Sequence, residues 1–363
     1  MKTLILVGGG HAHLHCLAEL TTTHTTNWQV VLISPSPFQY YSGMFSGYTE
    51  GAYTLDDIRI DLPKLCEKIG VTFAEDSIQM IDADAKKITG VTGVVYPYDL
   101  VSFDIGSRTD MPETVQKYAS SIKPNFRFPE ELVRSRDSAH PVIVGGGASG
   151  VELAFSILSW RKKHNLPANV ALFSSTPLLS TLGDLASKKI EAIARQKALP
   201  FTSNVSVDTI DNVTVTTSHK KTYPQSAVLW LTGPKSAALF ERSGLSTDTD
   251  GFLLVNEKLQ SLQHAAIFGA GDCITIDQYP ALAKNGVYAV RQGPILWENL
   301  KKSLSKGELV RFTPQKRFVS ILSTGDGEAF LSYGNHLFHG KWPWKIKQYI
   351  DKKFMKRFKT IYE

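Results

Sequence analysis

The chain has 363 residues, of which 42% are hydrophobic and 20% charged, and a formal net charge of +6. That length supports two or three ordinary domains around a large core, and no apolar run approaches the roughly 18 residues that would suggest a membrane span. Cys16, Cys66 and Cys273 are widely spaced and form no CxxC pair, which argues against a disulfide framework and for a reducing, cytoplasmic compartment.

The chain opens on TLILVGGGHAHLHCLAEL, a short apolar run broken at once by glycines. It reads as a strand, neither signal peptide nor anchor. Gly8 and Gly10 follow that strand, a helix is expected from about residue 12 into the Thr-rich stretch at 21–26, and a second strand at 30–33. This is the order of a dinucleotide-binding unit, with two departures. His13 stands where a third small residue belongs and should push the helix slightly off the strand, and Ser34 stands where an acid usually holds ribose hydroxyls. His11, His13 and His15 have no cysteine or carboxylate at ligand spacing, so they read as donors beside a phosphate turn and no metal is expected.

Residues 35–53, PSPFQYYSGMFSGYTEGAY, are rich in Pro, Gly, Ser and aromatics and are expected to form no regular element. Such a loop would lie at the ligand end of the strands. Short strands follow near 71–74 and 77–81, then a hairpin across Gly90 and Gly93, and a buried strand in YDLVSFDIGS that ends at Asp104 to Ser107. Residues 108–141 read as a polar crossover with one helix.

Residues 142–154, VIVGGGASGVELA, carry the complete fingerprint. Gly145 allows the tight turn, Gly147 lets backbone approach a pyrophosphate, and Gly150 lets helix and strand close up. Glu152 falls in the first helical turn, where its plain alternative role is to complement the helix dipole. The next strand, 170–173, ends on Ser174 without the ribose acid, and no Arg or Lys occurs from 174 to 186 to take a 2′-phosphate. NADH and NADPH are therefore not separated. AVLWLTGP, with Gly233, mirrors YDLVSFDIGS, so the chain is internally duplicated and two turns call for two nucleotide ligands.

HAAIFGAGDC at 264–273 reads as a buried strand ending on Gly269, Gly271 and Asp272, and an Asp there can reach sugar-like hydroxyls or merely cap a turn. A helical run follows Lys284 to about residue 300. In 341–363 eight basic residues stand against Asp351 and Glu363, so this stretch carries the whole net charge. Ile350, Phe354, Phe358 and Ile361 share one helical face and Lys345, Lys352, Lys356 and Lys359 the opposite one, with Lys347 and Asp351 intruding on the apolar arc. A basic amphipathic helix points to an anionic membrane surface and away from a nucleic-acid groove. A helix docked on its own domain is the alternative.

Taken together, Gly8 to His13, the strand to Ser107, Gly145 to Glu152, TGP at 232–234 and GAGDC at 269–273 resemble the flavoproteins with two dinucleotide-binding domains, the pyridine nucleotide-disulfide oxidoreductase superfamily. The type II NADH dehydrogenase-like group is the most similar. SPSPFQYYSGM, VSFDIGS, YAVRQGP and WKIKQYIDKKFMKRF resemble the branch associated with selenide, water dikinase. The resemblance implies an α/β fold of two Rossmann-like domains, the NAD(P)H domain (111–250) inserted in the FAD domain (1–110 and 251–335), and an amphipathic helical tail (336–363). It implies that Gly8, Gly10 and the amides near His11 hold the FAD pyrophosphate, Ser34 its ribose, the Ile78 backbone its adenine, and Asp272 beside Gly271 its ribityl chain. Lys284 would start the helix under the flavin. Gly145, Gly147 and Gly150, with Ser174 and Gly233 beside them, would hold NADH or NADPH, and Glu152 would place the nicotinamide against the flavin, where the cofactors carry the chemistry.

Where the disulfide reductases of this superfamily carry a cysteine pair, this chain has Gln39, Tyr40, Tyr41 and Ser42, which removes the dithiol route. Sulfide oxidation needs thiols beside the flavin, and Cys273 alone could stand near it. The AQxxxQ quinone motif of the respiratory enzymes reads Gly286, Val287 and Arg291 here. The leading expectation is an FAD-dependent NAD(P)H dehydrogenase with a quinone as acceptor, cytoplasmic and peripheral on the inner face of the cell membrane. One alternative passes electrons to a soluble redox protein or a selenium-pathway substrate. Another is a slow-turnover NADH-sensing flavoprotein, favoured by the missing ribose acids at Ser34 and Ser174.

Overall fold

The computed structural model describes residues 1–22 and 27–363. Its first strand, β1 (Lys2–Val7), is buried from Leu4 to Val7, as an uninterrupted apolar run must be when both faces of a parallel sheet are covered. The chain continues through α1 (His11–Glu19), β2 (Trp28–Ser34), α2 (Phe45–Thr49), β3 (Thr72–Glu75) and β4 (Leu100–Phe103). It then runs through β5 (Ala119–Ser121), β6 (Pro141–Val144), α3 (Ala148–Lys163), β7 (Ala171–Phe173), β8 (Phe201–Thr202) and β9 (Ala227–Trp230). Strand β10 (Ile267–Gly269) returns to the first sheet.

The sheets are ordered β10-β4-β1-β2-β3 and β5-β9-β6-β7-β8, with every pairing parallel. Four strands correspond, β4-β1-β2-β3 with β9-β6-β7-β8, while the edge strand comes last in the chain in the first sheet (β10) and first in the second (β5). Each half also inserts a three-stranded antiparallel meander, Ile78–Asp82 with Lys87–Gly90 and Val95–Pro97 in the first, Val207–Ile210 with Thr214–Thr217 and Thr222–Pro224 in the second. The halves are joined where Arg108–Thr109 pairs antiparallel with Pro234–Lys235. The duplication legible in the sequence is therefore a duplication of topology.

Beyond β10 come α4 (Gly286–Ser305), an antiparallel sheet of β11 (Ser320–Gly325), β12 (Glu328–Tyr333) and β13 (His336–Gly340), and α5 (Lys341–Tyr362). Strand β11 packs on α3 and β12 on α5. The sheet thus wedges between the second half and the C-terminal helix.

Four local expectations change. Helix α1 stops at Glu19, short of the Thr-rich stretch, whose residues 23–26 lie outside the described residues. The stretch at 35–53 is not irregular throughout: Phe38–Tyr40 pairs antiparallel with Arg59–Asp61, the Arg59 guanidinium lies 4.2 Å over the Phe38 ring, and α2 follows. Its order comes from a partner some twenty residues on, which local composition cannot show. The tail begins at Lys341, because residues 336–340 are β13. Finally, α4 opens at Gly286, where the Asn285 side chain accepts from the amides of Val287 and Tyr288. Lys284 is outside the helix because its neighbour is the better cap.

Candidate functional site

Both glycine turns sit at the carboxyl ends of their central strands, where parallel sheets bind ligands. At Gly8 (φ +91°) a Cβ would fall 2.4 Å from Asp104 O, and at Gly145 (φ +130°) 2.4 Å from Leu231 O. Only glycine combines that conformation with that approach. Gly8 N donates to Ile33 O and Gly145 N to Phe173 O, each at 2.8 Å, so the two first glycines play the same role. Nothing would meet a Cβ within 4 Å at Gly147, whose side of the turn is open.

The turns differ at their third small position. A Cβ on Gly150 would lie 1.8 Å from Gly145 O. His13, its counterpart, is fully buried, with Nδ1 2.7 Å from Gly8 O and Nε2 2.8 Å from Ser102 Oγ. A carbonyl only accepts, so Nδ1 carries the proton and Nε2 accepts from the serine. Burial lowers the His13 pKa to about 4, against the pull of Gly8 O. The ring that was expected to disturb the packing fills the gap between helix and strand and is satisfied there.

The turns also differ at Asp104, which follows β4 where Leu231 follows β9. Asp104 Oδ2 accepts from the amides of Ala12 (2.8 Å) and His13 (3.1 Å) in the first turn of α1. Burial raises its pKa to about 7, those two amides opposing the shift. A Cβ on Gly10 or Gly271 would run into this carboxyl. Gly271 N donates to Gln292 Oε1 (2.6 Å), and Asp272 Oδ2 lies 2.9 Å from Lys123 Nζ. Turn, Asp104, Gly271 and Asp272 therefore converge at the ends of β1, β4 and β10.

Of the other expected ligand residues, Ser34 and Ser174 are both buried and turned into their own loops, donating to Ser36 O (3.0 Å) and Thr176 O (2.7 Å). Each hydroxyl keeps only acceptor capacity for a ribose. Ile78 opens its meander strand opposite Gly90, and Gly233 O accepts from Asp110 N at the joint between the halves. The His11 ring packs between Tyr41 (5.6 Å) and Phe354 (5.5 Å). Lys284 lines the same cavity as Gly271 and Asp272, with its ammonium bonded to Ile274 O and Thr275 Oγ1 (2.7 Å) and 4.2 Å over the Phe252 ring. Cys273 is buried against Phe103 O and Ala270 O, and burial pushes its thiol up to about 12. It is no reactive thiolate.

Glu152 lies where α3 meets α2, β11 and α5. Its Oε1 accepts from Ser323 N (2.8 Å) and Ser46 Oγ (3.2 Å), and burial raises its pKa while the Lys347 ammonium lowers it. Lys347 donates to Gly43 O (2.5 Å) and pairs with Asp351. Burial, reinforced by Asp351, pushes the Tyr41 phenol well up. Sequence reasoning set Lys347 and Asp351 aside as flaws in an amphipathic pattern and did not single out Lys123 at all. Among the described residues no group of three or more His, Cys, Asp or Glu could hold a metal.

Two glycine turns on duplicated parallel sheets, with a carboxylate beside the first, fit an FAD site and a nicotinamide site. The family model for pyridine nucleotide-disulphide oxidoreductases matches residues 2–293. The chain belongs to that family. It is an FAD-dependent NAD(P)H oxidoreductase. It is 25% identical over 300 residues to an NADH dehydrogenase-like protein of Mycobacterium tuberculosis, covering 75% of this chain and 72% of the relative. It is 22% identical over 359 residues to a type II NADH:quinone oxidoreductase of Staphylococcus aureus, covering 90% and 89%. Its fold matches the NADH complex of NDH2 from Plasmodium falciparum at a TM-score of 0.82 with 15% identity, over 99% of this chain and 97% of that one. The sulfide:quinone oxidoreductase of Aquifex aeolicus also matches at 0.82, with 19% identity over 99% and 92%.

Proposed function

We propose that this oxidoreductase takes hydride from NADH or NADPH onto FAD and passes the electrons to a quinone at a membrane surface. FAD lies along Gly8, Gly10 and His11 towards Ile78 and Asp272, in a domain of residues 1–110 and 251–335. The nicotinamide nucleotide lies along Gly145, Gly147 and Gly150 in residues 111–250. When bound, the flavin supplies the two-electron chemistry. The chain holds the two nucleotides face to face, and Glu152 orients the nicotinamide end from the junction with α5.

The observation that carries the acceptor reading is the outward side of α5. Trp342, Ile346, Tyr349 and Ile350 are exposed there in helical register, with Phe338 packed edge-on against Trp342, while Lys345, Lys352 and Lys353 flank them. Exposed aromatics and aliphatics beside lysines suit a helix lying in a bilayer interface, and no helix of the described residues is long and apolar enough to cross one. A lipid-soluble acceptor is met at such a surface, and the similar protein of Staphylococcus aureus is described as acting on quinone. The selenium-pathway reading is supported by motif resemblance alone.

Rapid mixing of the oxidised holoenzyme with NADH and with NADPH, followed by reoxidation with quinone in anionic vesicles and with soluble acceptors, tests this. Fast flavin reduction and reoxidation by vesicle-borne quinone are expected. Slow reduction by both nucleotides would favour the sensing role, and fast reoxidation by soluble acceptors only would remove the quinone.

A further inference from the structure

Lys123 reaches from the second half of the molecule into the crevice of the first. It follows β5, the edge strand of the second sheet, and Ser121 fixes the bend, its Oγ donating to Lys123 O (2.5 Å) and accepting from Lys123 N (3.3 Å). The ammonium meets Asp272 Oδ2 at 2.9 Å and also bonds Ser107 Oγ. Asp272 and Ser107 follow β10 and β4, at the end of the sheet where the ligand lies. The pair is neither sealed in the core nor freely solvated, the side chains of Lys123 and Asp272 being 23% and 18% exposed. For an ion pair so largely withdrawn from water the desolvation cost offsets much of the Coulombic gain, so a tie between the halves is a weak reason for a lysine at this point.

Its position along the ligand gives a better one. With phosphates at Gly8 and Gly10 and the ribityl chain at Asp272, the flavin ring would lie beyond Asp272, on the side of the second half, because hydride transfer needs the ring against the nicotinamide. Lys123 comes to Asp272 from that side. We propose that Lys123 is a flavin-contacting cation, held by Asp272 and Ser107, that stabilises the negative charge taken up by the ring on reduction. This rests on the FAD reading of the first turn. Hydride transfer breaks the nicotinamide C4–H bond and forms an N5–H bond, the electron pair travelling with the hydrogen. The nicotinamide becomes positive and the flavin ring gains one negative charge. A preorganised cation favours that charged form over the neutral oxidised ring.

Sulfite titration of the oxidised holoenzyme reads this charge without any nicotinamide, because the sulfite lone pair forms a bond to N5 and the ring takes up the negative charge. Lys123→Met should weaken sulfite binding by at least about tenfold and lower the two-electron midpoint potential by about 30 mV per tenfold. Lys123→Arg, which keeps the cation, should bind sulfite nearly as well as the unmodified protein. Unchanged sulfite affinity and potential in Lys123→Met overturn the proposal, and a drop in melting temperature alone then makes Lys123 a tie between domains. If Lys123→Met does not retain flavin, Lys123→Gln is titrated against the same criteria and decides in the same way. An unmodified protein purified without flavin would defeat the FAD reading itself, and that is visible in its absorption spectrum before any variant is made.

Discussion

Lys347 and Asp351 form an ion pair 3.3 Å apart, one turn from each other on the inward side of the C-terminal helix. Both are buried, and they lie in one seam with Trp344, Met355 and Phe358. The two residues that break the apolar arc in sequence are therefore what docks the helix, with Lys347 also bonded to Gly43 O. Lys347→Met should cost about 3–5 kcal/mol in denaturant unfolding, because Asp351 is left buried and unpaired. Lys347→Met with Asp351→Leu should recover most of that loss. A double variant as unstable as the single one would show that the pair does more than satisfy itself.

His13 and Asp104 give opposing pH dependences. His13, with its pKa lowered to about 4 from 6.5, stays neutral in the folded protein while the unfolded chain takes up a proton, so its contribution is lost as pH falls from 6.5 to 4. Asp104, raised to about 7 from 3.8, keeps its proton in the fold after the unfolded chain has released it, so stability falls as pH rises through that window. The windows overlap and the slopes oppose. Asp104→Asn should leave a stability that rises with pH between 4 and 6.5, at up to about 1.4 kcal/mol per pH unit for one proton. Urea unfolding across that range checks it, and an unchanged slope relative to the unmodified protein would remove Asp104 as a titrating group.

Glu152 carries a buried backbone amide, Ser323 N. Glu152→Ala should therefore destabilise by about 1–3 kcal/mol, the cost of leaving that donor unsatisfied, as well as slow flavin reduction. Glu152→Gln keeps an acceptor for Ser323 N and isolates the charge. It should melt close to the unmodified protein and still be reduced more slowly by NAD(P)H. Normal reduction kinetics in Glu152→Gln would make the residue structural.

Asp272→Ala should fold and lose flavin occupancy, read as the ratio of visible flavin absorbance to protein. Full retention of FAD would remove Asp272 from the site.

Truncation before Lys341 is a poor test of membrane binding, since it would also strip Trp344, Met355 and Phe358 from the core. Ile346→Ser with Ile350→Ser changes only the outward side, where Ile350 is 47% exposed. The unmodified protein should cosediment with vesicles of anionic lipid, less so at high salt, and the double variant should bind less while its flavin is reduced at the same rate. An unmodified protein that stays in the supernatant at low salt would defeat the membrane reading.

The sequence by itself determined the duplicated parallel sheets, both glycine turns and the cofactor class, because these depend on local patterns: apolar runs of strand length, glycines at fixed spacing, and helices that start after them. Tertiary structure decided what each polar side chain does. His13 looked like a fault until Ser102, nearly ninety residues on, accounted for its second nitrogen. Lys284 looked like a helix start until Asn285 took the cap and Phe252 and Thr275 took the lysine. Lys123 carries no motif and meets Asp272 across 149 residues of chain. The direction of the C-terminal helix depended on whether a buried lysine could find a buried aspartate. Such partners are distant in sequence, and whether a buried charge is a flaw or a fastener depends on the partner.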